Sequence, residues 1–344
     1  MTASRVLIVW MIVILGTSVF TAVWTVNLRN DLDRTEKNFQ TKVGIIERFS
    51  VVPVLEGIEM RAIGEHRVKT IPYDIKFSPE EDYLMNTYRE ARPGLIHAKY
   101  ELIAGKKEVP FHPLEWAHNV LNAASYAEQT KKLEESRPLI DTLVKQAMDH
   151  AKESGPAWYL GYPFRFRLAD KTLENPWFSG IAQAYVMAAW IKLYRVTGET
   201  KFKDLAEKTY RSLLQIRKKE GQEAPWVSFV DKAGYLWFEE HPSPTDPQPR
   251  VLNGHICAVM GLYSYYRLEP KEETLDLIRA GITTVSRYFN EFRRPGSIPN
   301  YYLIGEHADY SPGRAVVQQE WLYKITDDAY LKQAWSALKT DVLY

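Results

Sequence analysis

Two adjacent carboxylates and an imidazole, Glu239, Glu240 and His241, stand between the aromatic pair Trp237-Phe238 and Pro242. Carboxyl groups set against apolar walls acquire raised pKa values, which suits them to general acid or base work near neutral pH. A solvated loop with ordinary surface acids would have the same composition. Tyr310, in the run His307-Ala308-Asp309-Tyr310-Ser311-Pro312-Gly313-Arg314, is a second candidate. A phenol exchanges protons readily only if its pKa falls from about 10, and Arg314, one turn away, is the neighbour expected to lower it. The other fate of such a residue is a tyrosine bonded to backbone at the edge of a core.

Arg165 and Arg167 alternate with aromatic residues in Gly161-Tyr162-Pro163-Phe164-Arg165-Phe166-Arg167, so on a strand both guanidinium groups share one face. That face would suit a carboxylated or sulfated sugar, because guanidinium meets a carboxylate bidentately; it could equally be a solvated outer face. Trp177 and Gln183, in a loop that opens into an alanine-rich helix, are placed near the same cleft, as is Asn253 in Val251-Leu252-Asn253-Gly254. The eight histidines have no HxxxH or HExxH spacing, and neither a P-loop nor GxGxxG occurs, so no metal and no cofactor is expected.

These residues need a frame, and the frame is helical. Three segments, beginning at Asn175, Arg250 and Ser311, repeat one unit: a helix apolar on all sides, a short polar turn, then a helix with one charged face. A fourth, degenerate copy starts at Phe111. The first helix of each pair should be buried and the second outer, which describes a mainly α protein, an α/α toroid of inner and outer helix hairpins with inserted β-hairpins. One such insertion is Trp226-Val227-Ser228-Phe229-Val230, turning at Lys232-Ala233-Gly234 into Tyr235-Leu236-Trp237-Phe238. Helical periodicity is expected from Pro79 onward, so the catalytic domain is placed at residues 79–344. A stalk and a short β-prone lead-in occupy residues 28–78.

Residues 1–27 hold the uncharged run from Val6 to Val26. At about 20 residues it has the length of a membrane-spanning helix and exceeds a signal-peptide core. The expectation is an uncleaved N-terminal transmembrane helix. The flanking charges do not fix its orientation, and the luminal or extracytoplasmic placement of the catalytic domain follows from the function inferred below.

Composition limits the function classes. The 344 residues are 45% hydrophobic and 25% charged, the profile of a globular chain. A net charge of +1 argues against a dedicated nucleic-acid binder. Only Cys257 is present, so no intrachain disulfide can form. Aromatic residues reach 13%, with 21 Tyr and 10 Trp, in keeping with surfaces that stack on sugar rings.

Taken in order, PWFSGIAQA with LYRVTG, WFEEHP, VLNG with GLY downstream, and Asp309-Tyr310 resemble the C-terminal catalytic domain of the D-glucuronyl C5-epimerases, from about Arg92 to Tyr344. The resemblance implies an α/α toroid acting on a heparosan- or heparan-like polymer, inverting C5 of D-glucuronate to give L-iduronate. It also implies a luminal or extracellular single-pass enzyme whose partner is an acidic polysaccharide; a homodimer is compatible with a toroid of this size. The family's Glu-Tyr pair falls on Glu240 and His241, and its second catalytic tyrosine on Tyr310. The histidines that flank that tyrosine in animal members are replaced by Ser311-Pro312-Gly313-Arg314, and the acids of a Pro-Tyr-Asp-Phe-like strand by Arg165 and Arg167.

On this basis Tyr310 and His241 are expected on opposite faces of the sugar, with Glu240 tuning His241 and Arg165 or Arg167 holding the carboxylate. The same carbanion could expel the C4 substituent, making a polysaccharide lyase, and a non-catalytic membrane-tethered glycan-binding protein is a third reading.

Overall fold

The computed structural model describes residues 33–38, 56–96, 110–306 and 308–342. The chain divides into two compact units, one formed by residues 1–51 with the last two residues, the other by residues 52–342. In the first unit residues 33–38, part of the expected stalk, are helical. The spanning segment expected at residues 6–26 lies outside the described residues. Among the described residues no helix is long and apolar enough to cross a membrane. This corrects the expected single-pass anchor and the extracytoplasmic placement built on it.

The second unit opens with a hairpin, β1 (Glu59–Ile63) and β2 (His66–Thr70), paired antiparallel around Gly64, whose φ of +56° favours a residue without Cβ. Helices then follow as four hairpins: α1 (Pro113–Thr130) with α2 (Leu133–Asp149), α3 (Gly180–Thr197) with α4 (Thr200–Leu214), α5 (Leu252–Leu268) with α6 (Glu272–Phe292), and α7 (Pro312–Thr326) with α8 (Ala329–Val342). Three antiparallel β-hairpins are inserted between them. These are β3 (Ala151–Ser154) with β4 (Ala157–Leu160), β5 (Phe166–Leu168) with β6 (Lys171–Leu173), and β7 (Ser228–Val230) with β8 (Leu236–Phe238).

The inner and outer roles follow from side-chain composition. In α3 every residue from Gly180 to Leu193 is buried, and in α5 every residue from Leu252 to Tyr265. Of their partners, α4 buries one face and leaves the other charged, while α6 does so only towards its ends and is buried on all sides from Ala280 to Ser286. Small residues bring the inner helices together, since a Cβ at Gly261 would lie 2.7 Å from the Ala184 Cβ. The last pair departs from the pattern, because α7 buries a single face through Ala315, Gln318, Trp321, Leu322 and Ile325.

Residues 79–96 are not helical, contrary to the expectation of periodicity from Pro79. They continue a strap, residues 71–96, that crosses the inner helices. The strap is fixed by Lys76 N donating to Ile325 O (2.7 Å), Ser78 N to the Tyr263 hydroxyl (2.8 Å) and the Trp321 indole to Glu81 O (2.8 Å). Asp82 is fully buried there, accepting from Ser264 Oγ (2.5 Å) and Arg267 Nη1 (2.6 Å), with Arg195 at 3.9 Å. The strap's backbone groups are held in part by side chains and helix ends and in part by short turns of its own, such as Asn86 N to Asp82 O (3.0 Å).

Candidate active site

Strand β8 delivers Glu239 and Glu240 into the space between the first turns of α3 and α5. Phe238 N donates to His255 Nδ1 (3.0 Å), and His255 Nε2 in turn lies 2.9 Å from Gly281 O, so the ring is the neutral Nε2–H tautomer. Burial pushes its pKa down to about 4. Gly180 N, a free donor at the start of α3, binds Glu239 O at 2.8 Å, and a Cβ at Gly180 would stand 2.9 Å from that oxygen. At Gly254 a Cβ would overlap the Glu240 side chain, so glycine is required where α5 passes that carboxylate.

The two carboxylates have different surroundings. Glu239 accepts backbone N–H groups from His241 (3.1 Å) and Arg250 (2.6 Å), and burial lifts its pKa to about 6. Glu240 accepts the Tyr301 hydroxyl at 2.7 Å on Oε1 and Asn253 Nδ2 at 3.3 Å on Oε2. Burial, with the neighbouring Glu239 charge adding to it, raises the Glu240 pKa to about 7. Asn253 Oδ1 accepts from the Tyr310 hydroxyl (2.8 Å) and from Gln318 Nε2 (3.0 Å). The Tyr310 hydroxyl also lies 3.0 Å from Gln318 Oε1. Tyr301 and Tyr310 stack at 5.9 Å between centroids with planes 22° apart. A hydrogen-bonded run therefore links Tyr301, Glu240, Asn253, Tyr310 and Gln318. Cys257 borders it, 3.7 Å from Asn253 Oδ1, its thiol pushed up to about 12 by burial.

Both phenols hold their protons firmly. Burial drives the pKa of Tyr301 and of Tyr310 well above the usual 10, reversing the downward shift expected for Tyr310. Arg314 does act in the expected direction on Tyr310 and on Glu240, but desolvation outweighs it. Arg314 itself is exposed, and no ion pair engages it among the described residues.

His241 differs most from its expected role. Its ring stacks on Phe166 (5.1 Å, 18°) and tilts against Trp177 (5.7 Å, 31°), and Nδ1 has no partner. Burial lowers its pKa to about 3, so it stays neutral in the working range. Glu240 does not bind its ring; Tyr301 occupies the place on the carboxylate. The sequence offered no local signal for Tyr301, 61 residues further along, beyond the doublet Tyr301-Tyr302.

The other candidates are divided. Arg165 and Arg167 do share a face, but it is the solvent face of β5. Arg165 pairs with Glu174 at 2.9 Å, both side chains 69% exposed, and Arg167 Nε donates to Ala169 O at 3.3 Å. Phe166, between them, turns inward to Trp177 and His241. Alternation along the strand thus sends the two arginines outward and Phe166 inward. Trp177 is buried in a stack with Tyr162 (3.8 Å, 5°), while Gln183 donates to Leu160 O (3.1 Å) and anchors α3 to β4. Among the described residues no group of three or more His, Cys, Asp or Glu side chains is placed to hold a metal ion.

Comparison with known proteins adds two findings. A family profile described as D-glucuronyl C5-epimerase C-terminus matches residues 153–339, more than half of the chain. Among solved structures, the chain is similar to a D-mannose isomerase, with TM-score 0.46 and 14% identity over 66% of this chain and 57% of that one. It is also similar to a cellobiose 2-epimerase from Bacillus thermoamylovorans, with TM-score 0.46 and 14% identity over 67% and 60%. A third likeness is to a family GH76 α-mannanase from Bacteroides thetaiotaomicron, with TM-score 0.44 and 12% identity over 68% and 58%. The chain thus spans less than two thirds of the length of each of these structures.

Proposed function

Because the chain belongs to the D-glucuronyl C5-epimerase C-terminal family, we propose that it is a carbohydrate isomerase that epimerises C5 of uronate units within a polysaccharide. The proposed reaction converts D-glucuronate to L-iduronate in a heparosan- or heparan-like polymer. The C5 hydrogen lies α to a carboxylate, so its removal leaves an enediolate that needs neighbouring donors or cations and then a proton from the opposite face.

The observation that carries this reading is the Glu240–Tyr301 hydrogen bond, with a Glu240 pKa near 7, beside Tyr310. A carboxyl group titrating near the working pH is an effective proton acceptor. As the C5–H bond breaks, its proton passes to the Tyr301 oxygen while the Tyr301 proton moves to Glu240. Tyr310, kept protonated by burial and oriented by Asn253 and Gln318, donates its proton to the other face of C5. Solvent then takes the proton from Glu240 and supplies one to Tyr310. Arg314, exposed and unpaired, is the cation assigned to the substrate carboxylate. His241 and Trp177 wall the site with apolar surface and move no proton.

The test is proton NMR of a glucuronate-containing polymer incubated with the protein in deuterated water. Deuterium at C5 together with iduronate signals, both lost in Tyr310→Phe, is the expected outcome. An unsaturated uronate product, or C5 protonated on every uronate polymer offered, would overturn it.

A further inference from the structure

Beside the Glu240 cluster lie two cations, Lys171 and Arg250, that no ion pair engages among the described residues. Lys171, on β6, is 9% exposed, and its Nζ has a single partner, the Thr245 hydroxyl at 3.4 Å. Arg250 has a buried Nε without a hydrogen-bond partner, and its guanidinium lies over the Tyr288 ring at 5.6 Å. Neither side chain forms an ion pair among the described residues. Both line one cavity of about 290 Å³, together with Leu303 and Ile304. A second cavity of 490 Å³ continues past Arg250 and Gln248.

The carboxylates nearby are committed elsewhere or solvated. In the larger cavity Asp246 is held by Arg217 Nη2 at 2.7 and 3.0 Å, and Asp231 by the Trp237 indole (3.0 Å) and the Tyr288 hydroxyl (2.6 Å). In the smaller one Asp170 is exposed and bridges to neither cation. A lysine held in a largely buried position without a counter-ion is suited to receive a matched anion from outside. The pair also offers both modes of carboxylate recognition, a point charge from lysine and a planar fork from arginine.

The cavity borders the catalytic loop directly. Arg250 N binds Glu239 Oε2 at 2.6 Å, and Leu303, two residues after Tyr301, donates its N–H to Pro249 O at 2.9 Å. A polymer threaded past Glu240 would bring its next acidic unit to this flank. We propose that Lys171 and Arg250 form a second anion site, which holds the carboxylate of a neighbouring uronate unit of the polymer being epimerised. The assignment rests on the function proposed above.

The experiment uses the full chain as wild type, Lys171→Gln and Arg250→Gln, with circular dichroism and thermal melting to establish that each is folded. Calorimetric titrations with glucuronate, a glucuronate-containing tetrasaccharide and inorganic sulfate, at constant ionic strength, read the site. Each substitution should weaken tetrasaccharide binding about tenfold, the loss expected for one charge-assisted contact, and leave glucuronate binding unchanged. In Lys171→Gln the KM for polymer should rise by the same factor at unchanged kcat. Wild-type tetrasaccharide affinity in the folded variants would overturn the proposal. Loss of sulfate binding alone would overturn it too, by reassigning the pair to a free inorganic anion. Should Lys171→Gln fail to fold, Arg250→Gln decides, since its side chain bridges to nothing. Weakened tetrasaccharide binding in a protein that exchanges no C5 hydrogen would refute the epimerase reading and leave the anion site standing.

Discussion

Asp82 and Glu240 are both buried, in opposite company. Asp82, on the strap, is fully enclosed with the guanidinium groups of Arg267 and Arg195 and the Ser264 hydroxyl around it. Glu240, in the loop after β8, accepts from neutral donors, Tyr301 and Asn253, and has a second carboxylate next door in the chain. Compensation by fixed cations makes Asp82 a clamp that holds the strap to α5 and α3. Enclosure without a cation in contact makes Glu240 a group whose proton comes and goes near pH 7. The counter-charge, more than the depth of burial, separates a structural acid from one that can do chemistry.

The sharpest way to break this comparison is to remove each acid while keeping its shape. Glu240→Gln should lower kcat by about 10²- to 10⁴-fold, the usual worth of a general acid–base group, with the fold retained. Asp82→Asn should leave kcat within a few-fold and cost about 3–5 kcal/mol of stability, because two guanidinium groups lose their partner; urea unfolding measures it. If the two substitutions exchange effects, the contrast is wrong.

Stability against pH sharpens the same point. The Glu240 pKa is raised from 4.5 to about 7 in the folded state, so the native protein binds more protons than the unfolded chain between those values. The resulting stabilisation is complete below about pH 4.5 and is lost as pH rises through 7. Over that window the change is about 3 kcal/mol. Glu239 adds to this slope, while His241 and His255, held neutral by burial, act against it on the acid side, so the Glu240 part is read as the change that Glu240→Gln makes in the difference between urea midpoints at pH 5 and pH 8.

A smaller effect is expected at Gly254, where a Cβ would overlap Glu240. Gly254→Ala should cost about 1–3 kcal/mol through overpacking and displace the Glu240 pKa, visible as a shifted pH–rate profile. The smallest effect is expected at His241. As a neutral ring stacked on Phe166, it should tolerate His241→Phe at under about 1.5 kcal/mol with activity within a few-fold. A loss of 10² or more there would restore the imidazole as a proton carrier.

What the sequence conveyed and what it withheld divide along a physical line. The helix hairpins were legible because burial on every side of α3 and α5, and on one face of α4, is written in local periodicity. The β7–β8 hairpin was equally local, its turn closing at Gly234 with φ +87°. Residues 79–96 misled because several of their backbone N–H groups bond to side chains 23 to 38 residues away, such as Arg92 N to Asn122 Oδ1. Glu240, Asn253 and Tyr310 could be named from type and position, but the partner of Glu240 could not. Tyr301 meets it only because the loop before α7 folds back, with Tyr310 N bound to Pro299 O. His241 looked catalytic because its identity is visible in sequence and its desolvation is not.

The central claim is that Glu240, working through Tyr301, takes the C5 proton. Its most direct test is the rate of deuterium incorporation at C5 of a glucuronate polymer between pH 5 and pH 9, in wild type and Glu240→Gln. The account predicts a wild-type rate that rises through a midpoint near pH 7 and falls by at least 10² in the variant. A rate that is flat across this range, or that survives in Glu240→Gln, would contradict it.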